Sequence, residues 1–363
     1  MPVDLSVEYG VPDAVNKVSA VLPGGRLDDG ISYSDFEGEA QRFARALTEV
    51  CLAGDYKDSA FSSPRLICTL RKENEGKEGY EDFMLLIHEA AAKHRAINLL
   101  NLSTSHMDSL TSAHSTGIAF QAGEREHDEL GRGFMVRSSL QCVTLNLPRV
   151  AYKSGGKEER FFETLQEAMS LAREVAMVKK DVISKRIERG SLSFLSQSNG
   201  AYFDLGRASN LIGYVGLNEA VKNYLGEGLH ESKYARDIGV SIVKRMSEML
   251  LEWERETGTG WLLSARDNPS IAQRFAMLDS GQFSLGVPAK GPVNSIRYTS
   301  SCHVSEEARL SPLERERTEA PFYSLNNGGM METIKVEREG AEELLEISKG
   351  MLRIPVGHWG FAP

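Results

Sequence analysis

The sequence has 363 residues, 41% of them hydrophobic, and a formal net charge of −9 at pH 7. This length and composition predict a globular protein with a sizeable core. The acidic balance argues against a nucleic-acid partner, although a single nucleotide needs only a local cradle. There is no signal-peptide pattern and no apolar run of the ~20 residues that a membrane span needs. We therefore expect a cytoplasmic protein with no membrane partner.

Cysteine and histidine spacing predicts neither a metal nor a cofactor in this chain. The four cysteines lie far apart in the sequence: Cys51, Cys68, Cys142 and Cys302. Without C-x-x-C pairs they are expected to be reduced, small hydrophobic residues. His88 and His94 are six positions apart, so they lie on different faces of a predicted helix and do not form a zinc pair. The glycines of 131–134 and 326–330 fit turns better than a phosphate loop.

The first third of the chain alternates helices and strands after a loop-rich segment at 1–33. A helix is predicted within 33–55, with Phe43, Leu47 and Val50 at helical spacing. The apolar runs 64–70 and 97–102 predict strands, and residues 80–94 between them predict an amphipathic helix.

The same alternation continues to the end of the chain. A long helix ending at Gly190 carries Phe162, Leu165, Met169, Ala172 and Ala176 on one stripe. Further helices are predicted at 231–258, 271–278 and 340–350, and further strands at 140–147, 210–217, 260–265, 295–300, 332–337 and in the apolar C-terminus 351–363. Apolar strands separated by amphipathic helices predict a mainly parallel sheet covered by helices in one domain, 1–363. The pattern leaves an open sheet and a barrel as alternatives.

Polar residues follow several of these strands. They are Asn146, Asn210, Asn218, Ser300, Ser301, Cys302 and His303. In parallel α/β folds, ligands bind at the carboxyl ends of the strands, so these residues are candidates for a binding site. Asn and Ser also cap helices and form turns, and this alternative stays open for each of them.

Six segments, which follow one order across roughly residues 30–361, resemble a known family. "CVTLNLPRVAY" resembles its "VVTINLPRIAY" pattern, "LIGYVGLNEAV" its "STIGLNGLNE", and "YTSSCHV" its "YTNSSHLPV". "QRFAMLD" and "NNGGMME" are similar to its "YRFAKLD" and "TGGT" segments, and the terminal "VGHWGFAP" to its "IGYFAFTP". These are the anaerobic, or class III, ribonucleoside-triphosphate reductases, which are glycyl-radical enzymes.

The resemblance implies part or all of a ten-stranded α/β barrel, with strands mainly parallel within each half. It implies a central loop that carries a cysteine. In the family, a glycyl radical oxidises this cysteine to a thiyl radical, and the thiyl radical removes the 3′-hydrogen of the ribonucleotide. That loop corresponds to 105–140, where this sequence has no cysteine, and the family's "TPAE" is replaced by "RDNPS" at 266–270. The family's regulatory nucleotide-binding domain, zinc site and glycyl-radical segment are expected to be absent from this chain.

The resemblance leads to two hypotheses about function, and a third hypothesis names no reaction. The chain would act in ribonucleotide reduction only if other chains supply the radical parts. Alternatively, it is a catalytically silent paralogue that serves as a nucleotide-binding or dimerising regulatory protein. The third hypothesis is that the chain carries out a different chemistry in an opened barrel. Implied partners are a ribonucleoside triphosphate, a separate glycyl-radical chain, a radical-activating enzyme and a second copy in a homodimer.

The candidate site residues follow from the strand ends and the resemblance together. Asn146 and Cys302 are the catalytic candidates; Cys302 beside His303 fits a polar-facing thiol, whereas Cys142 fits core packing. The predicted substrate-binding residues are Asn146, Arg149, Ser300, Ser301 and His303. Arg149 is favoured because its guanidinium can hold a pair of phosphate oxygens. The alternative is that Arg149 caps the turn or pairs with a helix carboxylate.

Overall fold

A computed structural model describes most of the chain. The described residues are 3–104, 106–107, 109–121, 138–195, 203–283, 296–305, 307–337 and 339–362. Their contacts divide the chain into two compact units, called unit 1 (Met1–Met135 and Met330–Pro363) and unit 2 (Val136–Gly329). Unit 1 is therefore discontinuous in sequence, and unit 2 is one continuous stretch.

Unit 1 is an α/β unit built on a five-stranded sheet. Its strands are β1 (Asp4–Glu8), β2 (Ser19–Leu22), β3 (Arg26–Ser32), β4 (Arg65–Leu70), β5 (Ile97–Asn101), β6 (Ser112–Ala113), β7 (Ala119–Phe120), β11 (Glu332–Lys335) and β12 (His358–Ala362). Its helices are α1 (Glu37–Ala53), α2 (Tyr80–His94) and α9 (Ala341–Met351). The main sheet has the order β1-β4-β5-β12-β11, while β2 pairs with β3 and β6 with β7.

The main sheet of unit 1 is parallel except at one pairing. Strands β1, β4 and β5 run parallel, as do β11 and β12, whereas β12 runs antiparallel to β5 with His358 opposite Leu100. The predicted strand at the C-terminus is confirmed as β12, and both Trp359 and Phe361 are buried there. Helices α2 and α9 pack against each other, and buried His88 of α2 hydrogen-bonds Ser348 of α9.

Unit 2 contains a three-stranded parallel sheet with six helices among its described residues. The strands are β8 (Ser138–Asn146), β9 (Ala208–Val215) and β10 (Trp261–Ser264), in the order β10-β9-β8. The helices are α3 (Leu147–Ser154), α4 (Glu158–Glu188), α5 (Leu217–Leu225), α6 (Lys233–Thr257), α7 (Pro269–Gln282) and α8 (Pro312–Tyr323). Every residue of β9 is buried, as expected for the central strand of a parallel sheet.

Side-chain caps explain where three helices of unit 2 begin. The side chains of Asn146, Ser232 and Asn268 accept hydrogen bonds at the starts of α3, α6 and α7, which satisfies backbone N–H groups that have no partner inside a helix. The predicted stripe of α4 is largely confirmed. Its buried residues are Phe161, Leu165, Met169, Ala172 and Ala176, with Phe161 in the place of the predicted Phe162.

Three predictions differ from the structure. Residues 1–33, predicted as loop-rich, contain the three strands β1, β2 and β3. The predicted strand at 295–300 is wrong for its described residues, 296–300, which form isolated bridges, one of them between Val215 and Ser300, and no strand; residue 295 lies outside the described residues. Helix α1 is present, but Phe43 and Val50 lie on its exposed face.

The class of fold is confirmed as α/β with largely parallel sheets. The strands of the described ranges form one sheet of five, one of three and two of two strands, and these do not close into a ten-stranded barrel. Among the described helices, none combines the length and apolar content needed to cross a membrane.

Candidate functional site

Asn146 lies at the carboxyl end of β8 and uses both ends of its side-chain amide. Its Oδ1 accepts a hydrogen bond from the backbone N–H of Arg149 (3.1 Å) and so caps α3. Its Nδ2 donates to Oδ2 of Asp279 (2.8 Å) on α7. The capping role that the sequence left open is therefore present, and the same side chain also binds a carboxylate from another helix.

Asp279 is the centre of a buried polar network. Its Oδ1 accepts from Nε (2.7 Å) and Nη2 (2.6 Å) of Arg149. Its Oδ2 accepts from the Asn146 amide and from the hydroxyl of Tyr298 (2.8 Å). A fully buried carboxylate is stable only with such donors, and here it has four.

Helix α7 presents Asp279 from its buried face. Ala272, Ala276 and Asp279 are the buried residues of this helix and recur at the spacing of one helical face. The two small alanines pack with Val215 and Tyr298, which lets the carboxylate reach the strand ends. A carboxylate on an otherwise apolar helical stripe is the feature of the sequence that could have identified Asp279.

The two tyrosines beside Asp279 remain protonated. Burial is the main cause that raises the pKa of Tyr298 well above its usual range, and neighbouring Tyr152 and Asp279 raise it further. Burial also raises the pKa of Tyr152 to about 12. Their phenol oxygens lie 3.5 Å apart. Near neutral pH the Tyr298 hydroxyl therefore donates to Asp279, as the network requires.

The segment 298–301 crosses the carboxyl ends of β9 and β10. Its backbone carbonyls at Thr299 and Ser301 accept from the N–H groups of Gly216 (2.8 Å) and Leu217 (3.1 Å), where β9 passes into α5. Ser300 Oγ donates to Asp267. Ser301 Oγ donates to the carbonyl of Arg266 (3.1 Å). Both predicted serines therefore already bind the residues that follow β10.

Buried Glu219 of α5 also binds this segment. Its carboxylate accepts from the backbone N–H of Thr299 (3.1 Å) and from the Thr299 hydroxyl. The side-chain and backbone bonds together fix residues 298–301 in a non-strand conformation. Ser301 accordingly has a positive φ of 44°, which few residues other than glycine adopt.

His303 and Cys302 point to other partners. Nδ1 of His303 lies 2.7 Å from Oε2 of buried Glu319 on α8. Cys302 is fully buried, with its Sγ 4.0 Å from Nδ2 of Asn326.

Cys142 is more exposed than Cys302, the reverse of the roles that the sequence suggested. Cys142 lies on β8, where it is only partly buried, and burial raises the pKa of its thiol. Its Sγ lies 4.0 Å from Oγ1 of Thr144 and beside Gly213, which has no side chain to cover it. Burial therefore disfavours the thiolate form of Cys142.

The structure thus brings Asn146 and Arg149 together on Asp279. Tyr298 binds the same carboxylate, and Ser300 and Ser301 follow Tyr298 in the segment at the carboxyl ends of β9 and β10. His303 is held by Glu319 instead. Sequence reasoning missed the four carboxylates that hold these residues: Asp267, Asp279, Glu219 and Glu319. The arrangement can orient the Arg149 guanidinium and the Asn146 amide at the end of a parallel sheet, where such folds bind ligands.

Comparisons with known proteins point to one family. A family model described as anaerobic ribonucleoside-triphosphate reductase matches residues 3–363. Over 293 residues the chain is 29% identical to the enzyme of that name from Salmonella typhimurium, covering 74% of this chain and 39% of the relative. The relative of the same name from Enterobacteria phage T4 is 29% identical over 217 residues, covering 55% of this chain and 33% of the relative.

Solved structures show the same fold. The anaerobic ribonucleotide reductase from Thermotoga maritima, in complex with dATP and CTP, superposes with a TM-score of 0.75 at 19% identity and covers 99% of this chain and 56% of its own. A second anaerobic ribonucleotide reductase gives a TM-score of 0.77 at 20% identity, covering 99% and 54%. The chain therefore spans little more than half of these structures, and 39% of the Salmonella relative.

Proposed function

The chain belongs to the anaerobic ribonucleoside-triphosphate reductase family, and on this basis we propose that it is the barrel portion of such a reductase. It acts in the reduction of ribonucleotides to deoxyribonucleotides, with the radical parts supplied from outside these 363 residues. The proposal includes the fold that the resemblance implies: residues 1–363 are a single domain and correspond to part or all of the family's ten-stranded α/β barrel. The family match over residues 3–363 is the observation that carries this proposal.

The proposed ligand is a ribonucleoside triphosphate at the carboxyl ends of β8 and β9. The Thermotoga maritima relative is a complex with dATP and CTP, so nucleoside triphosphates are a ligand class of the fold. Asp279 takes two of the five N–H donors of Arg149, and 33% of that side chain is exposed. Arg149 can then hold a phosphate oxygen while Asp279 keeps its guanidinium in place.

The other proposed contacts differ in what binding would require of them. Asn146 already binds Asp279 and the Arg149 N–H, so in this proposal it contacts the ribose through the second hydrogen of its amide, which neither bond uses. Ser300, Ser301 and His303 would have to exchange Asp267, the Arg266 carbonyl and Glu319 for the nucleotide. Arg149 and Asn146 therefore carry most of the binding in this proposal.

The alternative function is that of a catalytically silent paralogue, which serves as a nucleotide-binding or dimerising regulatory protein. The observation in its favour is the absence of cysteine between residues 105 and 140, the span that corresponds to the radical loop in the family. Residues 122–137 of that span lie outside the described residues. Both functions use the same nucleotide site, but only the reductase converts the bound nucleotide to a product.

Calorimetric titration with ribonucleoside triphosphates tests the site. We expect the wild type to bind, and Arg149→Ala to weaken binding about tenfold or more, because a charge-assisted contact contributes about 1.5–3 kcal/mol. Arg173→Ala is the matched control: its side chain is 31% exposed and pairs with Glu256 (2.7 Å) on a different surface. Circular dichroism checks that each variant is folded.

Two results would end this proposal for the site. One is a wild type that binds no nucleotide, and the other is equal affinity in the wild type and Arg149→Ala. Nucleotide binding without turnover, in a mixture that contains the radical parts, would favour the silent paralogue.

The remaining partners are proposals as well: a separate glycyl-radical chain, a radical-activating enzyme and a homodimer, in the cytoplasm. The zinc ligands that the resemblance implies are not among these residues, since no cysteine follows Cys302 in the sequence. The four cysteines are scattered over both units and do not fit a cysteine-rich zinc site.

A further inference from the structure

Unit 1 has a cavity of about 230 Å³ at the carboxyl ends of two neighbouring parallel strands. Leu70 and Arg71 line it where β4 ends, and Ser103 lines it shortly after β5. Residues of α2 and α9 complete the lining. Ligands of parallel α/β sheets bind outside the carboxyl ends of the strands, so the position suits a second binding site. The proposed nucleotide contacts all belong to unit 2 and leave this cavity without a role.

Tyr80, the first residue of α2, brings an unpaired hydroxyl group to this cavity. The residue is only 6% exposed, and its ring packs on that of Tyr9 with the ring centroids 5.4 Å apart. Among the described residues the Tyr80 hydroxyl has no hydrogen-bond partner, and it is not sealed off from the cavity. A buried tyrosine hydroxyl usually has a partner, because an unmade hydrogen bond costs free energy. A molecule in the cavity can supply that partner.

The two cations of the cavity are already neutralised. The guanidinium of Arg71 donates from Nε and from Nη2 to the two carboxylate oxygens of Glu8, at 2.9 Å each. The ammonium of Lys349 donates to Oε1 of Glu346 (2.8 Å). Both cations are therefore paired with carboxylates from outside the lining, and neither requires an anionic ligand.

The two carboxylates of the cavity have no such partner. Within the part of the chain that the structure describes, Glu75 and Glu81 make no hydrogen bond and no ion pair. Both lie close to Tyr80: burial is the main cause that raises the pKa of Tyr80 above its usual range, and the charges of Glu75 and Glu81 come next. The uncompensated charge of the cavity is therefore negative and lies beside the unpaired hydroxyl, which favours a cationic ligand.

The remaining lining is apolar and indicates the kind of cation. It consists of Leu70, Met84, Leu345 and Leu352. An apolar wall favours methylene groups, because contact with it removes them from water, whereas Mg²⁺ keeps several of its own waters. Two carboxylates beside this wall match two ammonium groups. The ligand is also small, since pockets for drug-sized molecules have volumes of roughly 300–1,000 Å³.

We propose that this cavity binds a small aliphatic diamine, with its ammonium groups at Glu75 and Glu81 and its methylene chain against the apolar wall. The phenol oxygen of Tyr80 accepts a hydrogen bond from one ammonium group. This inference goes beyond the proposed function, because the site lies in unit 1 and uses no nucleotide contact. Its failure is also distinguishable, since diamine affinity and nucleotide affinity are separate measurements.

Calorimetric titration of the whole chain with putrescine, a four-carbon diamine, tests the site. We expect the wild type to bind, and Glu81→Gln to weaken binding about tenfold or more, because a charge-assisted contact is lost. Tyr80→Phe keeps the ring and removes only the hydroxyl, and it should weaken binding roughly three- to tenfold. Glu89→Gln is the matched control, since Glu89 is an exposed carboxylate of α2 outside the lining. Circular dichroism checks that each variant is folded.

Related ligands test the chemistry of the site. Butylamine, with one ammonium group, should bind at least tenfold more weakly than putrescine, and butanediol should not bind, because each lacks part of the charge. Three results would overturn the proposal. They are a wild type that does not bind putrescine, equal affinity in the wild type and Tyr80→Phe, and equal weakening by Glu81→Gln and Glu89→Gln. The last result would show only a general attraction of cations to an acidic protein.

Discussion

His88 is the end of a hydrogen-bond chain that fixes its protonation. The indole N–H of Trp359 donates to Ser348 Oγ (3.3 Å), the Ser348 hydroxyl donates to Nε2 of His88 (2.7 Å), and Nδ1 of His88 donates to the carbonyl of Met84 (2.7 Å). A carbonyl only accepts, so Nδ1 carries the proton and Nε2 accepts. Burial lowers the pKa of His88 to about 4. The fold therefore holds this ring neutral.

We expect His88 to make the protein less stable as pH falls from about 6.5 to about 4. In the unfolded chain His88 binds a proton near its ordinary pKa of about 6.5, and in the folded chain only near 4, so acid favours unfolding in this window by at most about 1.4 kcal/mol per pH unit. Above about pH 6.5 the ring is neutral in both the folded and the unfolded chain, so His88 adds no pH dependence to the free energy of unfolding there. Urea unfolding at several pH values gives the free energy of unfolding as a function of pH. Between pH 6.5 and 4 this free energy should fall less steeply with decreasing pH in His88→Asn than in the wild type; an equal fall in both proteins would contradict this.

Single residues also show how far the sequence could predict the site. Asn146 and Arg149 are three positions apart after an apolar strand, so their proximity followed from local geometry. Asp279 is 133 residues from Asn146, and no local pattern reports a contact at that separation. Sequence reasoning therefore predicted the donors at the strand end, while the carboxylate that organises them required the tertiary fold.

At the scale of elements, the turn from β9 into α5 depends on Gly216. This residue has a φ of +75°, and a side-chain Cβ there would lie 2.6 Å from Cδ of Pro148, in the first turn of α3. Its N–H donates to the Thr299 carbonyl (2.8 Å). The glycine thus allows α3, α5 and the segment 298–301 to meet closely, and α3 carries Arg149.

Gly216→Ala should lower the free energy of unfolding by more than Gly155→Ala does. Both glycines have a positive φ, which costs other residues about 1–2 kcal/mol, but a Cβ on Gly155 meets nothing within 4 Å. The overlap with Pro148 should add about 1–3 kcal/mol at Gly216. Urea denaturation compares the two variants, and equal losses would show that α3 moves aside freely.

The elements that the sequence predicted best are those whose burial is uniform. Strands β4 and β9 are buried along almost all of their length, so continuous apolar runs located them. Strand β3 has the sequence RLDDGIS and is mostly exposed, and hence it has no apolar signal. Residues 296–300 do have strand-forming side chains, but the bonds from Glu219 and Asp267 hold them in another conformation.

At the scale of the whole molecule, the radical chemistry of the family needs a thiol that this sequence lacks between 105 and 140. Ser115 lies in that span, and its hydroxyl donates to Asp4 (2.9 Å). An O–H bond is too strong for a glycyl radical to oxidise, so a serine cannot take the place of the cysteine.

The purified 363-residue chain, mixed with a radical-activating enzyme and a reductant, should form no deoxyribonucleotide above a control without the chain. Chromatography of the nucleotides after incubation with each ribonucleoside triphosphate measures this. A complete family member under the same conditions serves as the positive control. Deoxyribonucleotide formation by the chain alone would show that another group, such as the partly buried Cys142, takes up the radical.

Unit 1 is interrupted by unit 2, and this sets an order of events during synthesis. On the ribosome, unit 2 emerges as one continuous stretch and can fold while the chain is still growing. The main sheet of unit 1 must wait for β12, which reaches β5 through contacts such as Asn101 to Val356, 255 residues apart. Until then the edge of β5 is unpaired and open to wrong partners, so the nascent chain is prone to aggregation until β12 has emerged.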